Sequence, residues 1–148
     1  MVQKLLNDAI SAQVKEVFQG LAQPVAVLFF GQQDNCEYCD DARQLLEEVC
    51  ALSPLLRLDV FDREKDVALA SQYHVDKTPV TILAGRDGED ITDYGIRFAG
   101  IPAGSEFTSL INSLVMVSNR NSGLEQATRD FLKTLTSPVE LQVFVTPT

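Results

Sequence analysis

The sequence predicts an α/β fold: a four-stranded mixed central sheet flanked by helices on both faces. Three observations predict it. Short apolar runs alternate with amphipathic segments of helical period from residue 7 to residue 118, the pattern of strands joined through crossover helices. The last two runs are separated by a turn-rich loop with no helical stretch, so they pair antiparallel. A C-x-x-C, Cys36-Glu37-Tyr38-Cys39, follows the first strand and opens a helix, the setting of a redox dithiol.

The elements follow in order. Ile10, Val14, Val17, Phe18 and Leu21 recur at helical spacing and predict a helix over 7–22. Gln23-Pro24 ends it, because the residue before a proline is pushed out of the helical region. Val25 through Phe30 is a continuous apolar run, read as a strand buried on both faces. A polar loop, Gly31–Asn35, leads to the cysteines. The next helix runs from about Cys36 to Leu52, with Ala42, Leu45, Leu46, Val49 and Cys50 on its core face. A strand is predicted over 56–61, then a helix over roughly 63–73 capped by Asp62. Thr78-Pro79 introduces a strand over 80–84. Gly85-Arg86-Asp87-Gly88 supplies a turn, and 96–100 is the last strand of the sheet. Residues 104–118 form a helix with Phe107, Leu110, Ile111, Leu114 and Val115 inward.

The remainder adds a C-terminal helix and strand. Ser122-Gly123-Leu124-Glu125 reads as a capping box. A helix follows to about Leu135, and Val139–Val145 alternates as a strand. A shift of 114 residues lays Phe18 on Leu132, Leu21 on Leu135, Pro24 on Pro138, Val25 on Val139 and Phe30 on Phe144. The helix–proline–strand opening thus recurs, an internal repeat caught after two elements. The chain divides into a unit over 1–119 and the beginning of a second over 120–148. An unpaired strand seeks a partner, so 139–145 is expected beside the domain's own sheet or paired between two chains as a dimer.

Composition narrows the function. The 21 acidic and 12 basic side chains leave a net charge of −9, which repels a phosphate backbone and argues against nucleic acid. No apolar run approaches the roughly 20 residues of a membrane span. Met1–Asp8 lacks the pattern of a signal peptide, so a cytoplasmic location is expected. Three cysteines with a single C-x-x-C do not suggest a stapled secreted domain.

Cys36 and Cys39 are the candidate catalytic residues. Free N–H groups and the positive helix end favour a Cys36 thiolate, the attacking species. Cys39 stands about one turn on and can resolve the mixed disulfide. Glu37, Asp40 and Asp41 crowd the site with negative charge, which raises the cost of the thiolate and favours a more reducing pair. Cys50 lies eleven residues past Cys39 on the same helix, roughly 16 Å away, too far to share a metal. No metal site is expected, and Cys50 reads as a small buried hydrophobe. Tyr38 is placed to pack on the thiols or to touch substrate. His74 is expected at the surface.

With Cys36-Glu37-Tyr38-Cys39 and Thr78-Pro79 taken together, the chain resembles the thioredoxin superfamily. The resemblance implies a thioredoxin-like fold in which Pro79 is cis and faces the cysteines. It also implies that the Thr78 backbone pairs with an extended substrate. The segments Cys36–Glu48 and Asp93–Phe107 resemble, more narrowly, the two-unit protein disulfide oxidoreductases, which are glutaredoxin-like. Val143–Thr148 resembles that family's lead-in to a second active site. Phe29 and Phe30 stand where thioredoxins carry a buried Asp. Gly100-Ile101-Pro102-Ala103-Gly104 replaces the glutathione-gripping Gly-Gly of glutaredoxins.

The implied function is thiol–disulfide exchange on protein disulfides. Tyr38, Thr78 and Pro79 form the substrate groove, no bound cofactor is needed, and a thioredoxin-reductase-like flavoprotein recharges the thiols. Two other readings stand beside it. One is an electron relay serving a flavoprotein disulfide or peroxide reductase, whose tandem domain shares a segment like Arg97–Gly100. The other is a redox-inactive binding module.

Overall fold

The computed structural model describes residues 4–146. Helix α1 (Asp8–Phe18) starts where the Asn7 side chain accepts the Ile10 N–H at 2.8 Å, satisfying one of the free donors of a helix start. It is followed by β1 (Val25–Gly31), α2 (Cys39–Cys50), β2 (Leu56–Asp62), α3 (Val67–Gln72), β3 (Val80–Asp87), β4 (Asp90–Ala99), α4 (Ser105–Ser118) and α5 (Gln126–Lys133). Val14 and Phe18 of α1 are buried, whereas Val17, expected on the same face, is 47% exposed. It lies about 100° around the helix from Phe18, off the buried stripe.

The sheet has the order β2-β1-β3-β4. Strand β1 is parallel to β2 and antiparallel to β3, and β3 is antiparallel to β4. This is the mixed four-stranded sheet the sequence predicts. All seven residues of β1 are buried, as a central strand covered on both faces requires. Val25, Val27 and Phe29 pack with α1, α2 and α4, while Ala26, Leu28 and Phe30 pack with Ala70, Tyr73 and Val75. Buried Ser118 fastens the end of α4 to the start of β1. Its hydroxyl accepts from the N–H groups of Ala22 and Gln23 at 3.0 and 3.1 Å and donates to the Gln23 carbonyl at 2.7 Å. Among the described residues no helix is long and apolar enough to cross a membrane.

Several boundaries differ from expectation. Helix α3 begins at Val67, and Asp62 ends β2 without capping it. The Asp62 carboxylate instead accepts from the N–H groups of Glu64 and Lys65 at 2.9 and 3.2 Å, so it closes a turn ahead of the helix. Strands β3 and β4 run past the expected 80–84 and 96–100 to meet at Asp87 and Asp90. The outer half of β4 is largely solvated and reads as loop in hydrophobicity. It also carries a bulge: Ile96 faces Leu83 and Asp93 faces Ala84, leaving Tyr94 and Gly95 as extra residues. Gly95, with φ +81°, adopts the conformation that this insertion needs.

Within the bulge, Arg97 donates to both carboxylate oxygens of Asp93 at 2.9 and 2.7 Å, and to the Tyr73 carbonyl at 3.2 Å. These hydrogen bonds from Arg97 outweigh partial burial and hold the Asp93 carboxyl down at about 2. On acidification the unfolded chain takes up this proton first. The pair's stabilisation is therefore full above the ordinary value of 3.8 and is lost as pH falls through about 2. Denaturant midpoints measured from about pH 5 to pH 2 are expected to fall less steeply in Asp93→Asn than in the wild type. An equal fall in both would remove the pair from the acid sensitivity.

The C-terminal expectations are met in part. Helix α5 forms, but Glu125 precedes it without a side-chain cap, so the expected capping box is absent. None of its residues is buried. The strand expected over 139–145 does not form, and Leu141, Val143, Phe144 and Val145 are more than 80% exposed. A strand exists only where a neighbour takes its N–H and C=O groups. Neither β2 nor β4 accepts this segment. The Pro147-Thr148 part of the expected lead-in lies outside the described residues.

Candidate redox site

The site lies where β1 and β2 end and β3 begins. Phe30 pairs with Val80, Gly31 with Asp62 and Val80 with Ala99. The loop after β1, the turn before β3 and the end of β4 therefore leave the sheet at one end of its strands. This crevice beyond strand ends is where open α/β sheets place their ligands.

Cys36 and Cys39 form a disulfide with their Cα atoms 5.5 Å apart. Helix α2 begins at Cys39, not at Cys36 as expected, with Tyr38 as its N-cap residue. Asn35 turns the chain with φ +56°, an αL conformation that Asn tolerates. Cys36 thus precedes the helix at its positive end. The two sulfurs differ in access: Cys36 is partly exposed and Cys39 only 6% exposed. Tyr38 is 49% exposed, and Glu37, Asp40 and Asp41 are also exposed around the pair.

The inner sulfur is packed against β1. A Cβ added to Gly31 would stand 3.0 Å from the Phe29 ring and 3.4 Å from Cys39 Sγ. The absence of a side chain at Gly31 is what lets ring and sulfur approach the strand. A cavity of about 380 Å³ opens beside them, lined by Phe29, Gln32, Cys39, Asp40, Arg43 and Asp62 among others. It is large enough to admit water to the inner thiol.

Thr78-Pro79 is a cis peptide bond, as the resemblance implies. The Pro79 carbonyl accepts the Gly100 N–H at 2.9 Å, and Gly100 has φ +99°. The Thr78 hydroxyl donates to Gln32 Oε1 at 2.7 Å. Gln32 is a site residue that the sequence reading misses. It lies in a polar loop with no periodicity, and its partner is 46 residues away. Cys50 is buried on the far end of α2, and burial pushes its thiol up to about 12, so it lacks the thiolate character of a reactive cysteine. His74 is exposed, at the end of α3 with φ +55°. Among the described residues no three His, Cys, Asp or Glu side chains are grouped to hold a metal.

No family model matches the chain. The chain is 30% identical over 147 residues to the alkyl hydroperoxide reductase AhpF of Staphylococcus aureus, covering 97% of this chain and 25% of that protein. Among solved structures, a protein disulfide oxidoreductase from Aeropyrum pernix superposes with a TM-score of 0.75 at 30% identity, over 91% of this chain and 56% of that one. The AhpF of Enterococcus faecalis superposes with a TM-score of 0.76 at 24% identity, over 90% and 62%. The chain thus spans 25% of its curated relatives' length.

Proposed function

We propose that the chain is a thiol–disulfide oxidoreductase of the thioredoxin superfamily acting on protein disulfides, a reading supported by its likeness to a protein disulfide oxidoreductase and to an alkyl hydroperoxide reductase. The observation that carries the reading is the disulfide between a partly exposed Cys36 and a buried Cys39 at the start of α2. In the reduced protein the Cys36 thiolate attacks one sulfur of a substrate disulfide. The substrate S–S bond breaks, a mixed disulfide forms and the leaving thiolate takes a proton. Cys39, deprotonated through the adjoining cavity, then attacks Cys36 Sγ. The second substrate thiol leaves and the Cys36–Cys39 bond closes. Two electrons pass to the substrate, and the sulfurs alone carry them. Tyr38, Thr78 and Pro79 form the groove for the substrate chain.

A thioredoxin-reductase-like flavoprotein of the cytoplasm completes the cycle by returning two electrons to the Cys36–Cys39 disulfide. The likeness to an alkyl hydroperoxide reductase over nearly the whole chain supports a second reading, an electron relay to such a flavoprotein. Residues 120–148 are taken as the opening of a second unit. The exposure of α5 and of 139–145 supports this. Pairing of 139–145 between two chains is the alternative, which sedimentation of the isolated chain distinguishes.

Thiol labelling in graded dithiothreitol buffers tests the main reading. A reversible two-electron couple near that of thioredoxin, about −270 mV, is expected, together with turnover of insulin. A couple that exchanges with a flavoprotein reductase but leaves insulin intact selects the relay. A pair that never cycles rejects both.

A further inference from the structure

We infer that Gln32 is a positioning residue for the substrate chain, registering the Thr78 backbone against the cysteine pair. The inference rests on the disulfide-exchange reading above and adds a determinant of its specificity for extended protein substrates. Two hydrogen bonds carry it. The Thr78 hydroxyl donates to Gln32 Oε1 at 2.7 Å, and Gln32 Nε2 donates to the Asp34 carbonyl at 2.6 Å. One amide therefore places its acceptor on the turn before β3 and its donor on the loop that delivers Cys36. The two segments are already neighbours, because Phe30 and Val80 are paired in the sheet. The strand ladder ends there, and the Gln32 side chain continues the connection past it.

What the connection holds still is the backbone of Thr78. Among the described residues, neither its N–H nor its C=O takes a partner. They are a free donor and acceptor just ahead of β3, beyond the end of the ladder, where an extended peptide can hydrogen-bond to them. Such pairing yields more affinity when the donor and acceptor are fixed before the peptide arrives, because less ordering is lost on binding. By anchoring the Thr78 side chain, Gln32 fixes them and sets their distance to the loop that bears Cys36. A small disulfide has no chain to pair and does not use this device.

The test is steady-state kinetics with insulin beside thiol exchange with dithiothreitol, on the full chain. Gln32→Ala is expected to raise the KM for insulin roughly three- to tenfold, the worth of one hydrogen bond, with kcat retained. Dithiothreitol exchange and the redox potential stay at their wild-type values. Thr78→Val raises KM equally, and Thr78→Ser, which keeps the hydroxyl, restores it. The double variant Gln32→Ala with Thr78→Val is no worse than either single change, as expected of two ends of one bond. A KM for insulin equal to the wild type in Gln32→Ala overturns this inference alone. So does a joint change of KM, dithiothreitol exchange and potential, which marks general damage to the site. A wild-type protein that exchanges with dithiothreitol but does not reduce insulin overturns the reading itself, and this inference with it.

Discussion

Cys36→Ser is expected to lower insulin reduction by roughly three orders of magnitude or more, to the level of the uncatalysed thiol reaction. The reason lies in the unequal access to the two sulfurs. Cys36 is the partly exposed member, ahead of α2, where an incoming disulfide can reach it. A serine hydroxyl there stays protonated at neutral pH and cannot displace a thiolate. Cys39→Ser gives a different outcome. The first attack still occurs, but nothing resolves it, so the mixed disulfide accumulates and is visible as an adduct by mass spectrometry. Cys50→Ser leaves both steps intact, because Cys50 is buried away from the pair. A Cys36→Ser protein with wild-type turnover would sink the assignment of the nucleophile.

The second large effect concerns stability. Phe30→Ala is expected to cost about 3–5 kcal/mol, read from denaturant unfolding. Phe30 is fully buried in the central strand. Its ring centroid lies 5.2 Å from that of Phe61 and 6.2 Å from that of Tyr73. Removing it leaves a void between β1, β2 and the end of α3 that the surrounding chain fills only in part. Against a total stability of about 5–15 kcal/mol this is a large fraction. Tyr73 leads into the turn that carries Thr78-Pro79, so the damage reaches the proposed groove before the cysteines. A loss below about 1 kcal/mol would mean that this half of the core repacks freely.

Much of the architecture is legible in the sequence because its signals are local. Strand β1 is an unbroken apolar run since both its faces are covered. Helix α2 shows its buried stripe from Ala42 to Cys50 at the right period. The cysteine pair is legible because its spacing and its place after a strand are themselves the chemistry. The features that escape are those decided by a neighbour. The outer half of β4 is a strand because β3 supplies its hydrogen bonds, although its own residues are polar and solvated. Val139–Val145 has the alternation of a strand but no described neighbour, and it remains without regular structure. Gln32 acquires its proposed role from a threonine far along the chain. Residue type alone does not mark it.

The insertion of Tyr94 and Gly95 in β4 bears on a different property of the molecule, its behaviour when concentrated. A sheet with open edges is a template on which further strands can grow from other copies. At the β4 edge the ladder is broken by the bulge and flanked by the charged pair of Asp93 and Arg97. At the other edge, Arg57 and Asp59 face each other at 3.0 Å on β2. The exposed apolar segment 139–145 has the alternation of an aggregating strand, yet neither edge offers it a flat, neutral row to extend. The expected consequence is that a smooth, uncharged β4 makes the chain self-associate on concentration while leaving the cysteines untouched.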